Sequence, residues 1–164
     1  MKTLLLMRHA KSSWKDPDLA DRDRPLTKRG KRDALRMGEM LKEMELIPQR
    51  ILCSSAARAK LTGENILEGL HISVPMDLLD DLYMAETPTY FEKLGSLPET
   101  LDKVMVIGHN PGLEALMLTI THQVEALPTC AVAYVILPIE HWEELSDEVS
   151  GDLIHLWRPK ELEA

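Results

Sequence analysis

The chain is poor in cysteine and has no long apolar run. Its two cysteines, Cys53 and Cys130, are too few and too far apart for a disulfide framework or a zinc site, which favours a reducing compartment. No apolar stretch reaches the roughly 20 residues that a membrane-spanning helix needs, and the apolar run before Arg8 is too short for the core of a signal peptide. We therefore expect a cytoplasmic protein that neither spans nor binds a membrane.

Positive charge is also in short supply. Lysine and arginine number 19 against 27 aspartate and glutamate residues, so the net charge is −8 at pH 7. A nucleic-acid surface needs a basic stripe, and this balance excludes an extended one. No metal-ligand spacing relates the histidines that lie outside the motifs described below, namely His71, His122, His141 and His155. We therefore expect no nucleic-acid partner, no metal and no cofactor.

With 164 residues, of which 45% are hydrophobic and 28% charged, the chain has the size and composition of one globular domain. Short apolar runs predict strands at 3–9, 50–54, 103–108, 131–137 and 152–157. Helices are predicted from a Thr27 cap to about Leu46, over 57–69, from Thr87 to near Gly95, after an Asn110 cap, and briefly over 140–145. The segment 71–86 is ambiguous. This alternation predicts a single α/β domain over residues 1–164, a three-layer α/β/α sandwich with a mostly parallel central sheet.

Charged side chains follow three of the predicted strands. Arg8-His9-Ala10 comes directly after the first strand's apolar run, Arg58 lies shortly after the second strand, and His109 follows the strand at 103–108. In open α/β sheets, ligands bind beyond the carboxyl ends of the strands. The three strands therefore bring two arginines and two histidines to one crevice, a set suited to a phosphoryl group.

These four side chains have complementary roles in phosphoryl transfer. A neutral imidazole is a competent nucleophile, so His9 is predicted to attack phosphorus and to form a phosphohistidine that water then hydrolyses. Arg8 and Arg58 are predicted to bind the phosphoryl oxygens, because a guanidinium offers two parallel donors and stays charged. His109, if protonated beside the phosphate, supplies a further donor. This scheme requires no metal.

The same residues carry a family resemblance. Arg8-His9-Ala10 is similar to the Arg-His-Gly motif of the histidine phosphatase superfamily, whose fold is called phosphoglycerate mutase-like. Further stretches resemble the later motifs of that family, in the family's order: Arg24-Pro25-Leu26-Thr27-Lys28-Arg29-Gly30, then Ser54 with Arg58-Ala59 and Thr62, then Gly108-His109. The resemblance covers residues 3 to about 115 and implies this fold for the chain.

Within that superfamily, the short chain and the start Arg8-His9-Ala10-Lys11-Ser12 resemble the SixA-type phosphohistidine phosphatases. This resemblance implies a phosphatase that removes phosphate from phosphohistidine, usually on a protein or peptide. It makes His9 the nucleophile, with Arg8, Arg58 and His109 as the phosphate pocket.

The general acid is the point where the chain departs from other branches of the superfamily. The acid-phosphatase branch has an aspartate after the second histidine, where this chain has Asn110. The mutase branch uses a glutamate between the second arginine and the second histidine, and Glu86 lies about there. Two interpretations of Glu86 remain open, a general acid or a residue that only introduces the next helix. A phosphoramidate substrate relaxes the need for an acid, because its own imidazole carries the proton that makes it a good leaving group.

Other functions remain open at this stage. One is a small phosphomonoesterase of the same superfamily that acts on a small phosphorylated substrate with Glu86 as general acid. The other, from a different class, is a catalytically weak module that binds a phosphorylated ligand. The sequence does not give the oligomeric state.

Several neighbouring residues have a structural interpretation beside a functional one. Lys11 and Ser12 reach the pocket or lie in a solvated loop, while Thr27, Ser54 and Thr62 are expected to cap or brace. The helix after Thr27 carries a basic cluster that is a solvated face or a docking patch for an acidic protein, formed by Lys28, Arg29, Lys31, Arg32 and Arg36. Its methionines are expected in the core, namely Met37, Met40 and Met44.

Overall fold

A six-stranded sheet forms the centre of the protein. The structure is a computed structural model and describes residues 1–162. The strands are β1 (Lys2–Arg8), β2 (Arg50–Ser54), β3 (Met76–Leu79), β4 (Lys103–Gly108), β5 (Val132–Leu137) and β6 (Asp152–Trp157). They lie in the order β3-β2-β4-β1-β5-β6, and β5 alone runs against the others. The prediction of a mostly parallel sheet is confirmed.

Strand β1 lies inside the sheet and is buried on both faces. Leu4 and Leu6 belong to the apolar cluster on one face, and Leu5 and Met7 belong to the cluster on the other face. All four side chains are fully buried. A strand packed on both faces requires a continuous apolar run rather than an alternating one, which is the pattern that this segment shows.

Helices cover the two faces of the sheet. The helices α1 (Lys28–Glu43) and α2 (Ala57–Leu70) contribute to one apolar cluster, while α3 (Thr87–Gly95) and α4 (Gly112–Thr121) contribute to the other. Each helix has one apolar face and must bury it against the sheet, so the two clusters lie between three layers. The predicted three-layer α/β/α architecture is confirmed.

The predicted boundaries of the strands and of α1 to α3 lie close to those observed, but details of the loops differ. The first helix ends at Glu43, and Met44 at its C-cap is 54% exposed, so the prediction that Met44 lies in the core was wrong. Met44 is the C-cap residue, and Glu45 directly after it has a positive φ of 58°, so the chain turns away from the helix axis here and Met44 is not packed on the apolar cluster. The segment 140–145 forms only a 3-10 turn at Trp142–Glu144, and the ambiguous segment contains the edge strand β3.

The start of α4 also differs from the prediction. Asn110 does not cap this helix, because its side chain donates instead to the carbonyl oxygen of Leu127 at 2.9 Å. Pro111 takes the cap position, and the Asn110–Pro111 peptide bond is cis. Asn110 therefore ties the loop before α4 to the loop before β5.

The sheet brings the carboxyl ends of three strands together. β4 lies between β2 and β1 and is parallel to both, with Arg8 opposite Gly108 and Cys53 opposite Ile107. Residues that directly follow these strands therefore meet at one edge of the sheet. Within residues 1–162 no helix is long and apolar enough to cross a membrane.

The start of α1 holds the loop that follows β1. Thr27 caps α1 by accepting from the Gly30 amide at 3.0 Å, and its hydroxyl donates to the Lys11 carbonyl oxygen at 3.2 Å. A Cβ on Gly30 would lie 2.3 Å from the same carbonyl oxygen, so only glycine permits this approach. The Thr27–Gly30 stretch thus acts as a support for the loop after His9.

Candidate active site

A cavity of about 300 Å³ opens at this edge of the sheet. Four of the five side chains predicted for the site line it: Arg8, His9, Arg58 and His109. Other residues around it include Lys11, Ser12, Trp14, Asp21, Arg24 and Met84. Lys11 and Ser12 therefore lie at the cavity rather than in a remote solvated loop.

His9 is held in one orientation and one tautomer. Its Nδ1 lies 2.8 Å from the Ala10 carbonyl oxygen, so Nδ1 carries the proton and donates it there. The Ala10 amide donates in turn to Thr62 Oγ1 at 2.9 Å, and the Thr62 hydroxyl donates to the Arg58 carbonyl oxygen at 2.7 Å. This tautomer leaves the lone pair of Nε2 unprotonated.

The surroundings of His9 keep its imidazole neutral. Burial, together with the guanidinium groups of Arg58 and Arg8, lowers the pKa of His9 to about 4, although the bond to Ala10 acts in the opposite direction. At neutral pH the ring is therefore uncharged and its Nε2 is nucleophilic.

His109 lies beside His9, with ring centroids 5.2 Å apart. Its Nε2 is 2.8 Å from Ser54 Oγ, and this oxygen also accepts from the Ala56 amide at 3.2 Å. The Ser54 hydroxyl proton is then available to His109 Nε2, which leaves the His109 proton on Nδ1. Nδ1 is buried and has no hydrogen-bond partner among the described residues.

Burial, and then the neighbouring His9, lower the pKa of His109 to about 3. His109 is therefore neutral while the cavity holds no phosphate. As a neutral ring with its proton on Nδ1, it is a donor without a charge. Ser54 and Thr62 act as braces, as the sequence predicted, since their hydroxyls fix His109 and the chain after His9.

The two arginines that line the cavity are anchored by different segments of the chain. Arg8 donates to the Leu127 carbonyl oxygen at 3.2 Å, and Arg58 donates to the backbone oxygen of Asp21 at 2.7 Å. Within the described part of the chain, the buried Nε of each guanidinium has no hydrogen-bond partner. Burial lowers the pKa of Arg8 from its usual value while the carboxylate of Glu114 raises it, and a guanidinium remains charged under such conditions.

An aspartate that the sequence analysis did not select also lies at the site. Asp21, in a 3-10 turn at Asp21–Asp23, forms ion pairs with Arg58 at 3.1 Å and with Arg24 at 3.2 Å, and accepts from the Tyr83 hydroxyl. The Tyr83 bond, followed by those from Arg58 and Arg24, lowers the pKa of Asp21 to about 2, so its carboxyl group is ionised. In the sequence, Asp21 belongs to the charged run Asp21-Arg22-Asp23-Arg24, which is typical of a loop and does not by itself indicate a site residue.

Glu86 is the predicted site residue that the structure does not bring to the others. It is exposed at the N-cap of α3, and it lines a neighbouring cavity together with Pro88 and Pro111. Met84 is a lining residue of both cavities and lies at the boundary between them. Glu86 therefore has the position of a residue that introduces a helix.

Two histidines and two arginines thus line one cavity of an α/β fold, a set of side chains suited to a phosphoryl group. The family model of the histidine phosphatase superfamily (branch 1) matches residues 4–85. An uncharacterized chloroplastic protein from Arabidopsis thaliana is 31% identical, over 87% of this chain and 70% of its own length. An uncharacterized protein from Mycobacterium tuberculosis is also 31% identical, over 85% of this chain and 91% of its own length. The chain belongs to the histidine phosphatase superfamily.

Solved structures agree with this membership. A SixA protein from Agrobacterium tumefaciens, whose crystal structure was solved as that of a candidate phosphohistidine phosphatase, is 25% identical with a TM-score of 0.83 over 96% of this chain and 98% of that one. The protein histidine phosphatase SixA complexed with tungstate is 24% identical with a TM-score of 0.85, over 98% and 99% of the two chains. These likenesses place the protein with the phosphatase hydrolases of the superfamily and confirm the phosphoglycerate mutase-like fold.

Proposed function

We propose that the protein is a phosphohistidine phosphatase that acts through a covalent phosphohistidine on His9, on a protein or peptide substrate. The observation that carries the proposal is the state of His9: a neutral ring whose Nδ1 proton is donated to the Ala10 carbonyl oxygen. Its free Nε2 lies in a cavity that Arg8 and Arg58 also line. In this combination a nucleophile lies beside cationic side chains that can bind phosphate.

The reaction has two displacements at phosphorus. In the first, the lone pair of His9 Nε2 forms a bond to phosphorus while the bond to the substrate imidazole breaks, and that imidazole leaves with the electron pair. In the second, a water oxygen attacks phosphorus, the bond to Nε2 breaks, and inorganic phosphate is released with the water's proton passed to solvent. Arg8, Arg58 and the His109 Nδ1–H stabilise the charge on the phosphoryl oxygens in both steps.

The absence of a protonated carboxyl group in the described cavity supports a P–N rather than a P–O substrate. Asp21 is the carboxylate that lines this cavity, and its pKa of about 2 leaves no proton to donate at neutral pH. Glu86 lines the neighbouring cavity. An alkoxide leaving group requires a proton donor, whereas a phosphohistidine protonated on its other ring nitrogen releases a neutral imidazole.

The substrate class is tested by phosphate release from a phosphohistidine peptide and from glycerol phosphate, an ester whose alkoxide leaving group requires a proton donor. We expect the peptide to react with a kcat/KM at least about 100-fold higher, and Glu86→Gln to change peptide turnover by less than about twofold, because no general acid is required. Glu86→Asp, which retains the carboxylate, is the matched control.

The other functions have distinct outcomes in the same experiment. Faster turnover of the ester, lost in Glu86→Gln, would assign the protein to the phosphomonoesterases with Glu86 as acid. Binding of the phosphohistidine peptide without turnover would indicate a phospho-ligand binding module.

The neutral state of His9 gives a prediction for pH. Because the pKa of His9 is lowered from its usual value of 6.5 to about 4, the ring stays uncharged down to about pH 5. In an NMR titration of the free protein, the ring resonances of His9 should remain constant from pH 8 to pH 5 and shift only below that range. A His9 midpoint near 6.5 would contradict the proposed nucleophile state.

A further inference from the structure

Trp14 is a large aromatic side chain that lies exposed at the mouth of the catalytic cavity. It is 73% exposed and lines the same cavity as His9. The other tryptophans, Trp142 and Trp157, are buried. An indole carries much apolar area, and leaving it in water at a cavity mouth indicates a surface that a ligand covers.

One face of the Trp14 ring is already occupied. The guanidinium carbon of Arg24 lies 3.4 Å from the ring centroid. Arg24 is only 7% exposed and is fixed by a hydrogen bond to Ser12 Oγ at 3.0 Å and by the ion pair with Asp21. One face of the indole is thus packed against a buried cation.

The contact with Arg24 does not explain the exposed part of the indole. Arg24 has hydrogen-bond partners of its own in Ser12 and Asp21, so it does not depend on Trp14 for its polar contacts. The high exposure of Trp14 leaves the ring face opposite the guanidinium open to solvent. A rigid, open aromatic face costs little conformational entropy when a flat ligand stacks on it.

The reaction geometry places the leaving group near this mouth. In an in-line displacement the leaving atom lies on the side of phosphorus opposite the nucleophile. His9 is 6% exposed at the base of the cavity, so the leaving group points from phosphorus toward the exposed rim. Trp14 and Met84, which are 73% and 49% exposed, are the large apolar side chains that line this rim.

Resting on the proposed function, we propose that Trp14 forms a leaving-group subsite that binds a flat heteroaromatic ring, the imidazole of the substrate's phosphohistidine. The imidazole stacks on the open indole face, and the Met84 thioether contacts the ring from the other side of the rim. Trp14 takes no part in the electron or proton transfers. It is a specificity residue that favours an imidazole over a leaving group without a ring.

The experiment compares two substrates that carry the same phosphoryl group on nitrogen, a phosphohistidine peptide and phosphoramidate, whose leaving group is ammonia. In Trp14→Ala we expect kcat/KM to fall about tenfold for phosphohistidine and less than about twofold for phosphoramidate. Trp14→Phe retains an aromatic face and should recover most of the loss. Met44→Ala, which removes an exposed apolar side chain away from the cavity, should match the wild type with both substrates.

Each other outcome overturns the inference. An equal loss with both substrates would mean that Trp14 acts only through Arg24 on the phosphoryl pocket, and an unchanged kcat/KM with both would mean that the indole binds nothing. If the wild-type protein hydrolyses neither N-phosphorylated compound, the proposed function itself fails, and this result is distinguishable from the others before any variant is made.

Discussion

Replacing His9 with alanine is expected to lower kcat for phosphohistidine hydrolysis by on the order of 10⁴-fold, because the reaction loses its nucleophile. The arginines remain in the cavity, so a phosphorylated ligand should still bind to the variant. Phosphate release gives the rate. A radiolabelled phosphoryl group trapped by alkaline denaturation, which preserves phosphohistidine, should appear on the wild-type protein and not on His9→Ala.

The control for this variant is His155→Ala. His155 is an exposed histidine on the edge strand β6 and is not among the residues that line the catalytic cavity, so its replacement should leave rate and labelling unchanged. Retained labelling in His9→Ala would place the phosphoryl group on another residue and overturn the mechanism. Thermal unfolding of both variants separates a loss of chemistry from a loss of fold.

Replacing Arg58 with methionine is expected to lower kcat/KM by on the order of 10³-fold, which corresponds to about 4 kcal/mol of transition-state stabilisation. Arg58 is buried, its Nε has no hydrogen-bond partner among the described residues, and it is one of the cations that line the cavity with His9. Arg58→Lys keeps a positive charge without the planar pair of donors. It should therefore recover only part of the lost activity, as measured by steady-state kinetics.

Asp21→Asn is the matched control, because it removes the same ion pair while the guanidinium stays. If Arg58 acts on the phosphoryl group, Asp21→Asn should lower kcat/KM by less than about tenfold. A loss as large as that of Arg58→Met would instead show that the ion pair matters because it holds the loop around Asp21. The comparison thus separates charge in the site from support of the loop.

The sequence predicted most of the fold because the inner strands β1, β2 and β4 are buried on both faces. The run Leu4 to Met7 has no polar interruption, and such a run in a chain whose apolar runs alternate with helical segments indicates a parallel strand covered by helices. The loop details were less predictable. Asn110 has the residue type of a helix cap, but a tertiary partner, the Leu127 carbonyl oxygen, takes its side chain. Local propensity does not include a partner 17 residues away.

The site residues that could be predicted from the sequence are those that directly follow a strand. Arg8 and His9 follow β1 directly, and His109 follows β4, so their meeting depends only on three parallel strands being neighbours. Asp21 and Tyr83 were missed because each lies in a loop whose path is set by contacts far along the chain. Asp21 approaches Arg58 across 37 residues, and no periodicity records such a contact.

The sequence by itself determined the alternation of strands and helices, the family motifs and four of the side chains that line the cavity, because these depend on local burial and on residue type. Only the tertiary structure decided the chemical state of those side chains. Burial and neighbouring cations make His9 and His109 neutral, and the 3-10 turn at Asp21–Asp23 places the Asp21 carboxylate on Arg58. The positions of Glu86 and Trp14 were likewise decided only by the tertiary structure. Both are loop residues of suitable chemistry, and only the packing of the loops puts Trp14 at the catalytic cavity and Glu86 at its neighbour.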